Sequence, residues 1–160
     1  MKKVEITTSI SVYDSIEELP KDVLSLMQKA IEAKNKAYAP YSKFYVGCAL
    51  ILENGVIVTG NNQENAAYPS GMCAERVAVW NALSNYPNIK ILKLAITASS
   101  SSQLLKEPVA PCGACRQTLS EYEIKQKSKV EVYFMGEEGK IIKTDSILDL
   151  LPIAFDKSFL

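Results

Sequence analysis

Three cysteines stand at the starts of two separate helix-patterned segments, and that placement constrains the fold more than any other feature of the chain. Cys73 lies in "SGMCAERVAVW", where a loop gives way to an apolar-faced helix. Cys112 and Cys115 lie in "PVAPCGACRQTL", a second passage from loop to helix. For the three sulfurs to meet, both helices must begin at one edge of one sheet. In open α/β sheets that edge, at the carboxyl ends of the strands, is where ligands bind.

The rest of the pattern predicts such a sheet. From Leu19 to about Ala37 the apolar residues Val23, Leu26, Met27, Ala30 and Ile31 recur at helical spacing, with Pro20 suited to a first turn. After the loop "YAPYSKF", the stretch "YVGCALILENGVIVTGNN" reads as a hairpin turning at Asn54-Gly55. A helix is predicted from about Met72 to Ser84, and "KILKLAITAS" as a strand buried on both faces. The surface connection "SSSQLLKEPVA" leads to a short helix running from Pro111 to about Tyr122. "KVEVYFM" and "IIKTDSI" are strands flanking the turn "GEEGK", and "SILDLLPIAF" is a helical turn halted by Pro152. The order helix, hairpin, helix, strand, helix, strand, strand predicts an α/β fold with helices packed on a sheet. Residues 1–17 read as a polar arm carrying a short strand in "VEITTSISVY", and residues 18–160 as a single domain.

Composition excludes some functions. Lys+Arg and Asp+Glu both total 18, so the formal net charge is zero, which argues against a polynucleotide partner. The N-terminal "MKKVEITTSISVYDSIEEL" has no apolar core of a secretory signal, and no run reaches the ~20 apolar residues of a membrane span. A cytoplasmic location is expected, where cysteines serve metal binding or catalysis more often than disulfides. The chain contains no histidine. Hydrolytic chemistry here must use a carboxylate, a metal, or both.

Cys112-Gly-Ala-Cys115 alone reads as half a zinc site, a redox dithiol or coincidence. The redox reading gives no role to Cys73 or to Glu75 beside it. All three thiols are expected at helix N-termini, where the macrodipole and free N–H groups favour thiolate, the form that binds zinc. Three cysteines with a fourth position open are the pattern of a catalytic zinc, one ion per chain. Cys48, inside the strand pattern "YVGCALIL", is read as a buried core residue; as a fourth ligand it would turn the site into a structural staple. Glu75, two positions from Cys73, points elsewhere on a regular helix and suits a general base acting on metal-bound water. Arg76 shares a face with Cys73 and suits a partner that offsets the charge of three thiolates.

At these residues the sequence resembles the small homotetrameric cytidine deaminases of pyrimidine salvage. "YAPYSKFYVGCAL", "NNQENAAYPSGMCAER", "APCGACRQ" and "LLPIAF" follow in that family's order and spacing. The resemblance implies a three-layer α/β/α domain with a mixed sheet of about five strands, and zinc-dependent deamination of cytidine and deoxycytidine to the uracil nucleosides and ammonia. It implies zinc on Cys73, Cys112 and Cys115, proton transfer by Glu75, and charge compensation by Arg76. It also implies that Asn62 and Glu64 hold the ribose 3′-hydroxyl, that Phe44 packs on the nucleoside, and that the Ala74 N–H meets the pyrimidine O2. Ala66, Tyr68 and Phe155 would reach a neighbouring subunit's site in a homotetramer with shared active sites. A related deaminase of another cytosine compound, of the blasticidin type, is the alternative; "NQENAAYP" favours ordinary nucleosides. The chain departs from the family at Tyr45, where proline is common, at Cys48, where alanine is, and in its longer N-terminal arm.

Overall fold

The computed structural model describes residues 1–160. Its first helix, α1, spans Lys21–Lys34 and buries Val23, Leu26, Met27, Ala30 and Ala33, the stripe that the 3.6-residue period demands. It is shorter than the predicted 19–37 at both ends. Pro20, with no N–H, sits at the N-cap, and residues 36 and 37 close with tighter bonds to the Ala33 and Lys34 carbonyls.

The hairpin forms as read: β2 (Phe44–Leu52) and β3 (Ile57–Asn61) pair antiparallel. Gly55 takes φ +82° in the turn, a conformation that costs glycine little. α2 covers Ala74–Asn85, β4 Ile91–Ser100, α3 Gly113–Gln126, β5 Glu131–Met135 and β6 Ile141–Thr144. A single 3₁₀ turn, Ile147–Leu150, follows β6 before Pro152. α3 runs four residues past the predicted end at Tyr122. Its last turn looks too polar in sequence, but Glu123 is buried and accepts from the Val130 and Ile147 N–H groups and bonds Ser146. Gln126 likewise bonds the backbone of Ile91 and Ser128. Tertiary partners satisfy what appeared to be surface residues.

The sheet has six strands, one more than expected, because Ser11–Tyr13 of the N-terminal arm forms β1 on the outer edge of β6. Strand order is β1-β6-β5-β4-β2-β3; only β4 and β5 pair in parallel. Successive residues of each inner strand feed opposite layers, as a period of two requires. Ala49, Ala95 and Tyr133 pack with α1 on one face. Their neighbours Leu50, Leu94, Ile96, Val132 and Phe134 pack with α2 and α3 on the other. This is the three-layer α/β/α architecture. Leu94 to Ala98 of β4 are almost completely buried, as a strand covered on both faces must be.

One glycine sets the seat of α2. A Cβ at Gly60 of β3 would stand 2.5 Å from both the Ala74 oxygen and the Ala78 nitrogen. Only a hydrogen there lets the first turn of α2 lie directly on the strand.

Candidate active site

β3 is antiparallel to β2, and β2 to β4, so β3 and β4 run in the same direction. α2 follows β3 and α3 follows β4, and both helices therefore leave the sheet at the same edge. Cys73 is the N-cap of α2, Cys112 is the N-cap of α3, and Cys115 lies in the first turn of α3. The topology brings together thiols 39 positions apart in sequence.

The sulfurs of Cys73 and Cys112 are 3.9 Å apart, those of Cys112 and Cys115 are 3.5 Å apart, and all three lie within 4.8 Å of one another. A tetrahedral zinc with Zn–S of about 2.3 Å requires S···S separations near 3.8 Å. The donor set thus fits one zinc ion, with three thiols and no carboxylate in the cluster. Its electrostatics fit as well. A hydrogen bond from Cys115, then the Arg76 guanidinium, hold the Cys73 thiol far below its ordinary value, at about 5. Cys115 is pushed strongly up by its bond to Cys73, by burial and by the charge of Glu75. A divalent cation is what lets all three sulfurs ionise together.

Arg76 donates from Nη2 to the Cys73 sulfur over 3.4 Å, and its guanidinium carbon stands 5.9 Å from the centre of the Trp80 ring. Its Nε is buried and has no partner within the chain. Glu75, 4% exposed, lies in the first turn of α2; burial pushes its carboxyl up, and the neighbouring Cys73 charge adds to this. Cys48 is completely buried in β2 among apolar neighbours, and burial pushes its thiol well up. It stands apart from the metal cluster, a core residue as the strand pattern indicates.

Glu75, Cys73 and Cys112 face a cavity of about 580 Å³ that Phe44, Asn62 and Glu64 also line. Asn62 is braced against β2: its side chain accepts from the Val46 N–H at 2.8 Å and donates to the Phe44 carbonyl at 2.8 Å. Glu64 Oε2 accepts from the N–H groups of Tyr41 at 2.9 Å and Ser42 at 3.2 Å, and Oε1 bonds the Ser42 hydroxyl. The Ser42 bond, reinforced by the two backbone donors, keeps the Glu64 carboxyl below its usual value. A smaller adjoining recess of about 350 Å³ is bounded by Tyr41, Ser42, Glu64 and Tyr68.

Of the other sequence-derived residues, only Tyr68 reaches this cavity. Tyr68 borders the cavity with its ring mostly exposed and 6.3 Å from that of Tyr41. Ala74 is fully buried as the first residue of α2, where its N–H has no intrahelical acceptor. Ala66 is exposed on the loop before α2. Phe155 is 60% exposed and stacks on Phe159 at 5.5 Å, its carbonyl accepting from Gln117. Ala66 and Phe155 do not line the cavity of their own chain.

Two residues were not singled out from the sequence. Arg116 donates from Nε to the Pro111 carbonyl at 2.8 Å and from Nη1 to the Leu150 carbonyl at 3.1 Å, tying the loop before Cys112 to the C-terminal 3₁₀ turn. Its place directly after Cys115 was a visible sign of a role near the cluster, but its partners lie far along the chain. Ser42, inside the quoted "YAPYSKF", had no distinguishing sign.

Comparison with known proteins agrees with this geometry. The family described as the cytidine and deoxycytidylate deaminase zinc-binding region matches residues 20–130. The chain is 41% identical over 137 residues to a cytidine deaminase of Sporosarcina psychrophila, covering 85% of this chain and 93% of that protein. It is 38% identical over 130 residues to a cytidine deaminase of Halalkalibacterium halodurans, covering 81% and 91%. The crystal structure of cytidine deaminase from Burkholderia pseudomallei superposes with a TM-score of 0.71 at 39% identity, covering 82% of this chain and 97% of that one.

Proposed function

We propose that this chain, which belongs to the cytidine and deoxycytidylate deaminase family, hydrolyses the C4 amino group of cytidine and deoxycytidine, giving uridine or deoxyuridine and ammonia. The observation that carries the reading is the buried Glu75 carboxylate beside a three-sulfur cluster, with both facing one cavity.

Cys73, Cys112 and Cys115 would hold a zinc ion, which would lower the pKa of the attacking water. Glu75 would take a proton from the attacking water and deliver one to ring N3, which makes C4 electrophilic. As oxygen joins C4, Glu75 takes the second proton and passes it to the amino nitrogen, and the C4–N4 bond breaks. Burial suits Glu75 to this shuttle, because it raises the carboxyl's pKa above the ordinary carboxylate value and makes the protonated form easier to reach. No histidine is needed.

Asn62 and Glu64 hold the sugar 3′-hydroxyl, Phe44 packs on the nucleoside, and the Ala74 N–H donates to the pyrimidine O2. Arg76 offsets the charge of the thiolates. Ala66, Tyr68 and Phe155 complete a neighbouring subunit's site in a homotetramer, which agrees with the exposure of all three in the single chain. Residues 18–160 form the catalytic domain and residues 1–17 an arm, and the enzyme works in the cytoplasm on nucleosides of pyrimidine salvage.

The test is direct: purified protein with cytidine or deoxycytidine, following loss of cytosine absorbance, with a parallel zinc assay. Uracil nucleoside as product, with one zinc per chain, is expected. Bound zinc without turnover on either nucleoside would overturn the substrate assignment.

A further inference from the structure

The loop between α1 and β2 is held in a costly shape. Lys43 takes φ +55°, the left-handed region that a side-chain-bearing residue seldom occupies. The bonds that keep it there converge on one hydroxyl. Ser42 Oγ accepts from the Phe44 N–H at 3.0 Å, across the strained residue, and donates to Oε1 of Glu64. Glu64 Oε2 closes the ring by accepting from the Tyr41 and Ser42 N–H groups. Further bonds, from Lys43 N–H to the Ala39 oxygen at 3.2 Å and from Ser101 N–H to the Lys43 oxygen at 3.1 Å, anchor the loop to its surroundings.

Ser42, Phe44 and Glu64 all line the cavity. A carboxylate has about four acceptor positions. Two donors on Oε2 and one on Oε1 leave Oε1 able to accept one more. We propose that Ser42 is a positioning residue for substrate selection: its hydroxyl fixes the Glu64 carboxylate, and through the Phe44 N–H the aromatic ring, at the spacing that receives a nucleoside's 3′-hydroxyl. The proposal rests on the assignment of Glu64 to that hydroxyl. Loss of the Ser42 bond leaves Oε1 free to swing about the anchored Oε2 and costs the bound hydroxyl its aligned acceptor, so removal of Ser42 Oγ lowers kcat/KM more for substrates that carry the hydroxyl than for those that lack it.

Deoxycytidine and 2′,3′-dideoxycytidine differ only in this group. The experiment compares the ratio of their kcat/KM values for the wild type, Ser42→Ala, Ser42→Thr and the double variant Ser42→Ala/Lys43→Gly. The ratio is expected to fall about tenfold in Ser42→Ala, the scale of one well-aligned hydrogen bond to a charged group. Threonine keeps the hydroxyl and restores the ratio. In the double variant, glycine accepts the left-handed backbone, so thermal stability recovers while the ratio stays low. A Ser42→Ala protein that keeps the wild-type ratio overturns the proposal alone. A double variant that regains the ratio along with stability also overturns it, since Ser42 would then act only by holding the loop together. A wild type that does not distinguish the two nucleosides overturns the assignment of Glu64, and the role of Ser42 with it.

Discussion

Arg76 joins the Cys73 sulfur to Trp80: the guanidinium donates to the first over 3.4 Å and stands 5.9 Å from the ring centre of the second. The positive charge is thereby held against the thiolate by an aromatic face as well as by its own hydrogen bond. Replacing Arg76 with alanine leaves the charge of three thiolates uncompensated, which would weaken the acidification of water by a zinc ion held there. A fall in kcat/KM of about 10- to 100-fold is expected, the range seen when groups supporting metal ligands are removed. Trp80 is the only tryptophan, so its fluorescence reports whether the packing was disturbed in the same variant.

Glu75→Gln keeps the size and buried position of the side chain but cannot move a proton. Zinc content should remain at one per chain, and kcat should fall by about 10²–10⁴-fold. Zinc analysis together with turnover on cytidine checks both halves. Unchanged turnover would remove Glu75 from the chemistry.

Withdrawal of zinc by a chelator should destabilise the fold, because the ion binds only where topology has gathered the three thiols. At a zinc concentration about 1,000 times its dissociation constant, the linkage is worth about 4 kcal/mol. For a chain of this length that corresponds to a fall in Tm of about 8–16 °C. Restoration of the melting temperature on adding zinc separates the effect from irreversible damage. Acidification acts in the same direction, since protons compete with zinc for the thiolates.

Gly60→Ala tests the seat of α2. The added methyl would meet the Ala74 oxygen and the Ala78 nitrogen at 2.5 Å, and both are backbone atoms. The helix start must shift, at a cost of about 1–3 kcal/mol. Because Cys73 caps that helix, zinc should also be lost to a chelator faster than from the wild type. Denaturant unfolding and zinc-release kinetics measure the two effects.

Much of this architecture was legible along the chain. The stripe of α1, the turn at Asn54-Gly55, the burial of Leu94 to Ala98 in β4 and the placement of Cys73 and Cys112 before helices each depend on neighbours a few positions away. Periodicity, turn chemistry and capping act at that range, so the order of residues alone determined these elements and the kind of chemistry they carry. The pairing of the arm's short strand with β6, the length of α3, the close approach at Gly60 and the clamp of Ser42 on Glu64 were not legible. Each joins residues separated by a strand order that no local pattern encodes: Ser11–Tyr13 pairs with Ile141–Lys143, Glu123 bonds Ile147, and Ser42 meets Glu64. The meeting of the three sulfurs belongs to both accounts. The sequence determined that each thiol would stand at a helix start. Only the tertiary structure, by running β3 and β4 in the same direction, put those two starts within 4.8 Å sulfur to sulfur, because convergence of distant segments depends on how strands pair and not on the residues beside each cysteine.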